Sequence, residues 1–163
     1  MRARMSVGFA VICVVAMCVG CSKGGPDPAE YQAKMEKTAV LIHNAARACL
    51  NQSRTYAAAL QTAEVSGKDS IPEYVRDKAF EERRIADLSA IDAAMNELAQ
   101  QVPEGFLNSY DALVSFYDTY KRTHVNLLHP PGTSQIYFEF IQNIEPEIRS
   151  KKEAFDQSLP TKH

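Results

Sequence analysis

Glycine and proline divide this chain into long uninterrupted stretches, and that division limits what it can fold into. Neither residue occurs from 29 to 66; the next breaks are Gly67 and Pro72, then Pro103 and Gly105, then Pro130-Pro131-Gly132. Proline removes a backbone donor from a helix interior and glycine raises the entropic cost of ordering it, so the stretches between are where long helices can form. They are rich in Ala, Leu, Glu, Lys, Gln and Arg, the strong helix formers. None shows period-two alternation long enough for a strand. Four helices are predicted, and short connections make successive helices antiparallel neighbours. The expected fold is all-α: an up-down-up-down antiparallel four-helix bundle over 29–159, with 160–163 as a loose end.

Apolar spacing locates the buried faces. Helix one carries Met35, Ala39, Ile42, Ala46, Cys49, Ser53, Tyr56, Leu60 and Ala63 at steps of three and four, all on one side. Its wholly polar stretch Asn51 to Thr55 is the expected place for a bend or fraying. Helix two is expected to open at Ser70-Ile71-Pro72-Glu73, the pattern of a capping box, and to bury Leu88, Ile91, Met95, Leu98 and Val102. Glu81-Glu82-Arg83-Arg84 reads as a solvated face, with Lys78–Glu82 and Arg83–Asp87 spaced for surface pairs. Helix three, from about Glu104 to Leu128, sets Phe106, Tyr110, Leu113, Tyr117, Tyr120, His124 and Leu127 in line. Helix four begins near Thr133 and shows Tyr137, Phe138, Ile141, Ile144, Ile148 and Phe155; Pro146 inside it predicts a kink or a split. Helix one is much longer than helix three. Part of the first hairpin therefore projects, or helix one bends.

The amino terminus carries the clearest functional information. Met1-Arg2-Ala3-Arg4-Met5-Ser6 precedes an uncharged run from Val7 to Gly20, the layout of a secretory signal. Fourteen residues are short for a membrane span, which needs about 20. The run ends in Cys18-Val19-Gly20-Cys21, which resembles the lipobox of bacterial prolipoproteins, with Cys18 where leucine is typical. That resemblance covers this segment alone. It implies that residues 1–20 are a signal peptide and that Cys21 is the lipidation site. It also implies a membrane attachment through the lipid on Cys21, and Ser22 directs such a protein to the outer membrane, facing the periplasm. Residues 21–28, with Gly24-Gly25-Pro26 at their centre, are then the lipidated cysteine and a flexible tether.

Without the first twenty residues, 143 remain, enough for one domain with one core. Sixteen basic side chains then face twenty acidic ones. An acidic domain without a basic block carries no footprint for nucleic acid. Cys49 is the only other thiol, so no internal disulfide can form; it is either buried or pairs with another chain.

Motifs of catalysis and cofactor binding are missing. There is no Glu-x-x-His of the di-iron bundles and no Cys-x-x-Cys-His for covalent haem. Phosphate-binding glycine loops, Gly-x-Ser-x-Gly and His-Glu-x-x-His do not occur either. The histidines His43, His124, His129 and His163 have no spaced partners for a metal, so no metal or cofactor is expected. Eight of thirteen aromatics outside the signal lie between Phe106 and Phe140. Tyr110, Tyr117, Tyr120 and His124 therefore form the candidate ligand pocket, against the plainer reading of a packed core whose hydroxyls find neighbours. Lys121, Arg122 and His124 suit the dipole at the end of helix three. The expected function is that of a non-enzymatic envelope lipoprotein, a helical interaction or structural module with an envelope protein as partner. The alternative is a bundle that binds a small ligand or a metal in that aromatic pocket.

Overall fold

The computed structural model describes residues 25–67, 77–128 and 132–161. Among them are four α-helices, α1 (Pro28–Val65), α2 (Lys78–Gln100), α3 (Leu107–Leu128) and α4 (Ser134–Ser158), with a 3-10 turn at Glu104–Phe106 before α3. The fold is all-α, a four-helix bundle. The signal, Cys21, the Ser70–Glu73 segment, His129 and His163 lie outside the described residues. No described helix is long and apolar enough to cross a membrane.

Polar side chains set the starts of the helices. Asp27 accepts from the Ala29 amide at 2.9 Å, and Pro28 occupies the first helical position, where its missing amide has no intrahelical partner to lose. Thr133 starts α4 by accepting from Ile136. In α2 Asp77 accepts from the Phe80 amide at 3.1 Å and the described helix begins at Lys78, while the start expected at Ser70–Glu73 lies outside the described residues. At the far end of α1, Gly67 takes a φ of 67°, a left-handed conformation that a side chain would strain, and turns the chain out of the helix.

Contacts join opposite ends of helices that follow one another in the chain. Tyr31 at the start of α1 donates to the Leu98 carbonyl at the end of α2, and Lys34 meets Glu97 beside it. Arg84 early in α2 meets His124 late in α3. Ser109 early in α3 donates to the Ser158 carbonyl at the end of α4. Glu64 at the end of α1 accepts from the backbone and hydroxyl of Ser134 at the start of α4.

The mismatch in helix length is absorbed by stagger. At 1.5 Å per residue α1 is about 57 Å long and the others about 33–38 Å. α2 meets α1 between Tyr31 and Cys49, whereas α4 meets it between His43 and Glu64. α1 is therefore a spine whose two halves are covered by different helices. Asn51 to Thr55 stays helical, and Ser53 within it is fully buried.

The core matches the predicted seams closely. Met35, Ile42, Ala46, Cys49, Ile91, Leu98, Leu113, Tyr120, Tyr137, Ile144 and Phe155 are all buried in one cluster. α3 buries more than its aromatic line, since Ser109, Phe116, Thr119 and Thr123 are buried too. The two threonine hydroxyls donate to carbonyls one turn back, at 3.2 and 3.0 Å, so they can enter the interior without stranding a donor. α4 runs unbroken through Pro146, so it is not split there.

Candidate functional site

The four residues expected to form an aromatic pocket face different neighbours. From Tyr110 to His124 is fourteen residues, about 21 Å along α3, so Tyr110 and Tyr117 meet other parts of the bundle than Tyr120 and His124, which pack together. Tyr110 is half-buried against the core near Tyr31. Tyr117 donates its hydroxyl to Asp92 of α2, while the Lys121 ammonium sits 4.2 Å from the centre of its ring. Burial, reinforced by the Asp92 carboxylate, holds the Tyr117 hydroxyl well above its ordinary pKa. Tyr120 is fully buried and meets the His124 ring edge-on at 6.0 Å between centroids.

What the structure assembles instead is a polar knot where α1, α2 and α3 meet. Its centre is Arg84, which the sequence places on a solvated face and the structure buries, at 4% exposure. The guanidinium holds Glu81 with two nitrogens, at 2.5 and 3.1 Å. Its third nitrogen lies 2.5 Å from His124 Nε2. A guanidinium can only donate, so Nε2 is the bare nitrogen and the ring proton belongs on Nδ1. Burial foremost, and then the charge of Arg84, hold the His124 pKa below the usual histidine value, partly opposed by Glu81 and Asp92. The ring is therefore neutral at neutral pH.

Sequence spacing missed Arg84 because a helix face is judged solvated from its average. Glu82, Arg83 and Ile85 around it are indeed exposed, and Lys78 and Glu82 make the expected surface pair at 3.8 Å. Arg84 sits seven residues before Ile91, in line with the buried seam of α2. That register was the available signal, hidden by the charge. Lys121 and Arg122 lie before the last turn of α3 and are held by side chains rather than by the helix end: Lys121 pairs with Asp118 at 2.8 Å, and Arg122 with Glu147 of α4.

Beside Arg84 is a small cavity of about 30 Å³, lined by Ala45, Cys49, Arg84, Asp87, Tyr120 and their neighbours. It has room for a water molecule or so and no organic ligand. Cys49 is 1% exposed and free, which settles it as a buried thiol; burial pushes its pKa up to about 12, so it is not a ready nucleophile. Deeper in, the hydroxyls of Ser53, Tyr120 and Tyr137 are buried and make no hydrogen bond among the described residues. The Ser53 hydroxyl lies near enough to Tyr137 to favour its ionised form slightly, but the two do not align as a hydrogen bond. Burial dominates and keeps the Tyr137 pKa raised.

Among the described residues no group of three or more His, Cys, Asp or Glu is placed to hold a metal ion. The knot is thus built to hold helices in register: a buried cation, one carboxylate and a neutral imidazole tie α2 to α3 above the shared spine α1. No protein-family model, curated protein or solved structure matches the chain.

Proposed function

We propose that this is a lipid-anchored protein of the bacterial cell envelope, a non-enzymatic helical module that works by contact with another envelope protein. The observation that carries this reading is Cys18-Val19-Gly20-Cys21 at the end of an uncharged run with a basic start. Cys21 is the lipidation site in this reading, and Ser22 after it points to the outer membrane, on its periplasmic side.

The bundle adds a geometric constraint. Six residues, and so seven Cα–Cα steps, separate Cys21 from the first residue of α1. Fully extended they reach about 25 Å, so the Pro28 end of α1 stays near the lipid. The Val65 end can stand as much as about 57 Å further out. Arg84, His124, Asp92 and Tyr117, the side chains best suited to chemistry, bond to one another across helices, which supports a role in display rather than turnover.

Intact-mass analysis of the full chain extracted from membranes tests the anchor: it should begin at Cys21 and carry acyl mass. A chain beginning elsewhere without that mass overturns the anchor. Deleting residues 23–26, which keeps Ser22 beside Cys21, tests the contact. It spares the Asp27 cap, should leave the helical signal unchanged, and should abolish cross-links to envelope neighbours. Undiminished cross-links would refute the contact reading.

A further inference from the structure

A second cluster of charged groups lies away from the Arg84 knot. Between α1 and α4 lies a cleft of about 270 Å³ lined by His43, Arg47, Leu50, Glu145, Ile148 and Arg149. Its carboxylate, Glu145, is already engaged by Arg54 at 2.6 Å. Lys152, one turn along α4, is engaged by Asp156 at 2.6 Å. Arg47 and Arg149 are exposed, and among the described residues neither forms an ion pair or hydrogen bond. His43 contributes a buried Nδ1 with no partner. The chain as a whole is acidic, with net charge −2. Two guanidinium groups without an ion-pair partner, at one cleft, run against that background.

We propose that this cleft binds a phosphate-type oxyanion, gripped by Arg47 from α1 and Arg149 from α4 with His43 beside them. Each guanidinium presents a planar fork of donors that matches the edge of a phosphate. Two forks can serve more than the two oxygens that a carboxylate offers. Leu50 and Ile148 are each 3% exposed and form an apolar floor, which lowers the local dielectric and strengthens the grip.

His43 reports on the site. Burial, then Arg47 and Lys152, hold its pKa below the usual value, opposed by Asp156 of α4. The ring is therefore neutral at neutral pH and has one N–H to donate. A bound anion opposes the cations around it and must raise that pKa.

The test uses the full chain in a neutral detergent, with the His43 ring signals assigned through His43→Gln and inorganic phosphate as the probe. Phosphate should shift the His43 midpoint upward and saturate. Arg47→Ala and Arg149→Ala should each weaken binding by at least about tenfold without lowering the melting temperature, and Lys78→Ala should leave it unchanged. A His43 midpoint indifferent to phosphate overturns the proposal. So do arginine variants that bind as the parent does, and so does acetate acting as strongly as phosphate. Vesicles of phosphatidylcholine with and without phosphatidic acid separate the sources. A response to the acidic lipid alone identifies a headgroup as the ligand, and a response to free phosphate identifies a soluble one. This inference does not depend on the lipid at Cys21.

Discussion

Replacing Arg84 with methionine and with alanine separates what its stem and its charge contribute. The side chain is 4% exposed and Glu81, its ionic partner, 33%. Alanine removes the two methylene groups beyond Cβ, about 1.6 kcal/mol at about 0.8 kcal/mol each, and opens a space between α2 and α3. Glu81 can turn to water when its partner goes, so little is added for the broken pair. Methionine keeps most of the buried stem and removes a desolvated charge, but it leaves His124 Nε2 without its donor, a loss of about 1 kcal/mol. Arg84→Ala, which loses the stem as well, should therefore destabilise by about 2–3 kcal/mol, and Arg84→Met by about 1 kcal/mol, in urea unfolding followed by circular dichroism. The titration of His124 is the second readout. Its folded pKa is lowered, so the unfolded chain binds the proton more tightly. Its contribution is complete above the unfolded value near 6.5 and is lost as pH falls through the lowered folded value. Without the Arg84 charge, the His124 midpoint should rise toward its ordinary value yet stay below it, because burial remains. The methionine variant should then lose less stability on acidification than the parent. A methionine variant as unstable as the alanine one, or a His124 midpoint that does not move, would refute this account.

Two further outcomes follow from the same neighbourhood. Tyr117→Phe leaves the Asp92 carboxylate without its donor and should destabilise by about 1–2 kcal/mol, whereas Tyr120→Phe removes a hydroxyl with no described partner and should change stability by under about 0.5 kcal/mol; the reverse order in thermal melts would contradict the hydrogen-bond assignment. Cys49, buried with its pKa pushed up to about 12, should react with a maleimide at pH 7.5 only as fast as the bundle opens, and prompt labelling of the native protein would show the thiol to be accessible.

Much of the fold was legible in the residues themselves. The stretch free of glycine and proline from 29 to 66 became α1, and its seam from Met35 to Ala63 is buried except for the half-buried Leu60. The seams of α3 and α4 held as well, because an apolar stripe at helical spacing has one stable destination. The Ser70–Glu73 pattern lies outside the described residues, within which Asp77 caps α2. Pro146 suggested a possible split, yet α4 continues: proline's φ suits a helix, and only the Gln142 carbonyl loses its intrahelical donor, at a residue on the exposed face. Tyr110, Tyr117, Tyr120 and His124 looked like one pocket because they share a stripe, but a stripe about 21 Å long meets several neighbours in turn.

The sequence by itself determined the helices, the direction of their buried faces and the lone thiol on the α1 seam, all consequences of local periodicity and backbone chemistry. It also contains the lipobox-like segment on which the envelope reading rests. Only the tertiary structure decided which polar groups enter the interior. Arg84 is buried because Glu81 and His124 converge on it from α2 and α3, and Arg47 meets Arg149 at one cleft because α4 is staggered along α1. Arg84 is worth burying only because His124, forty residues away on α3, supplies a hydrogen-bond acceptor in the interior, and no local pattern encodes that partner.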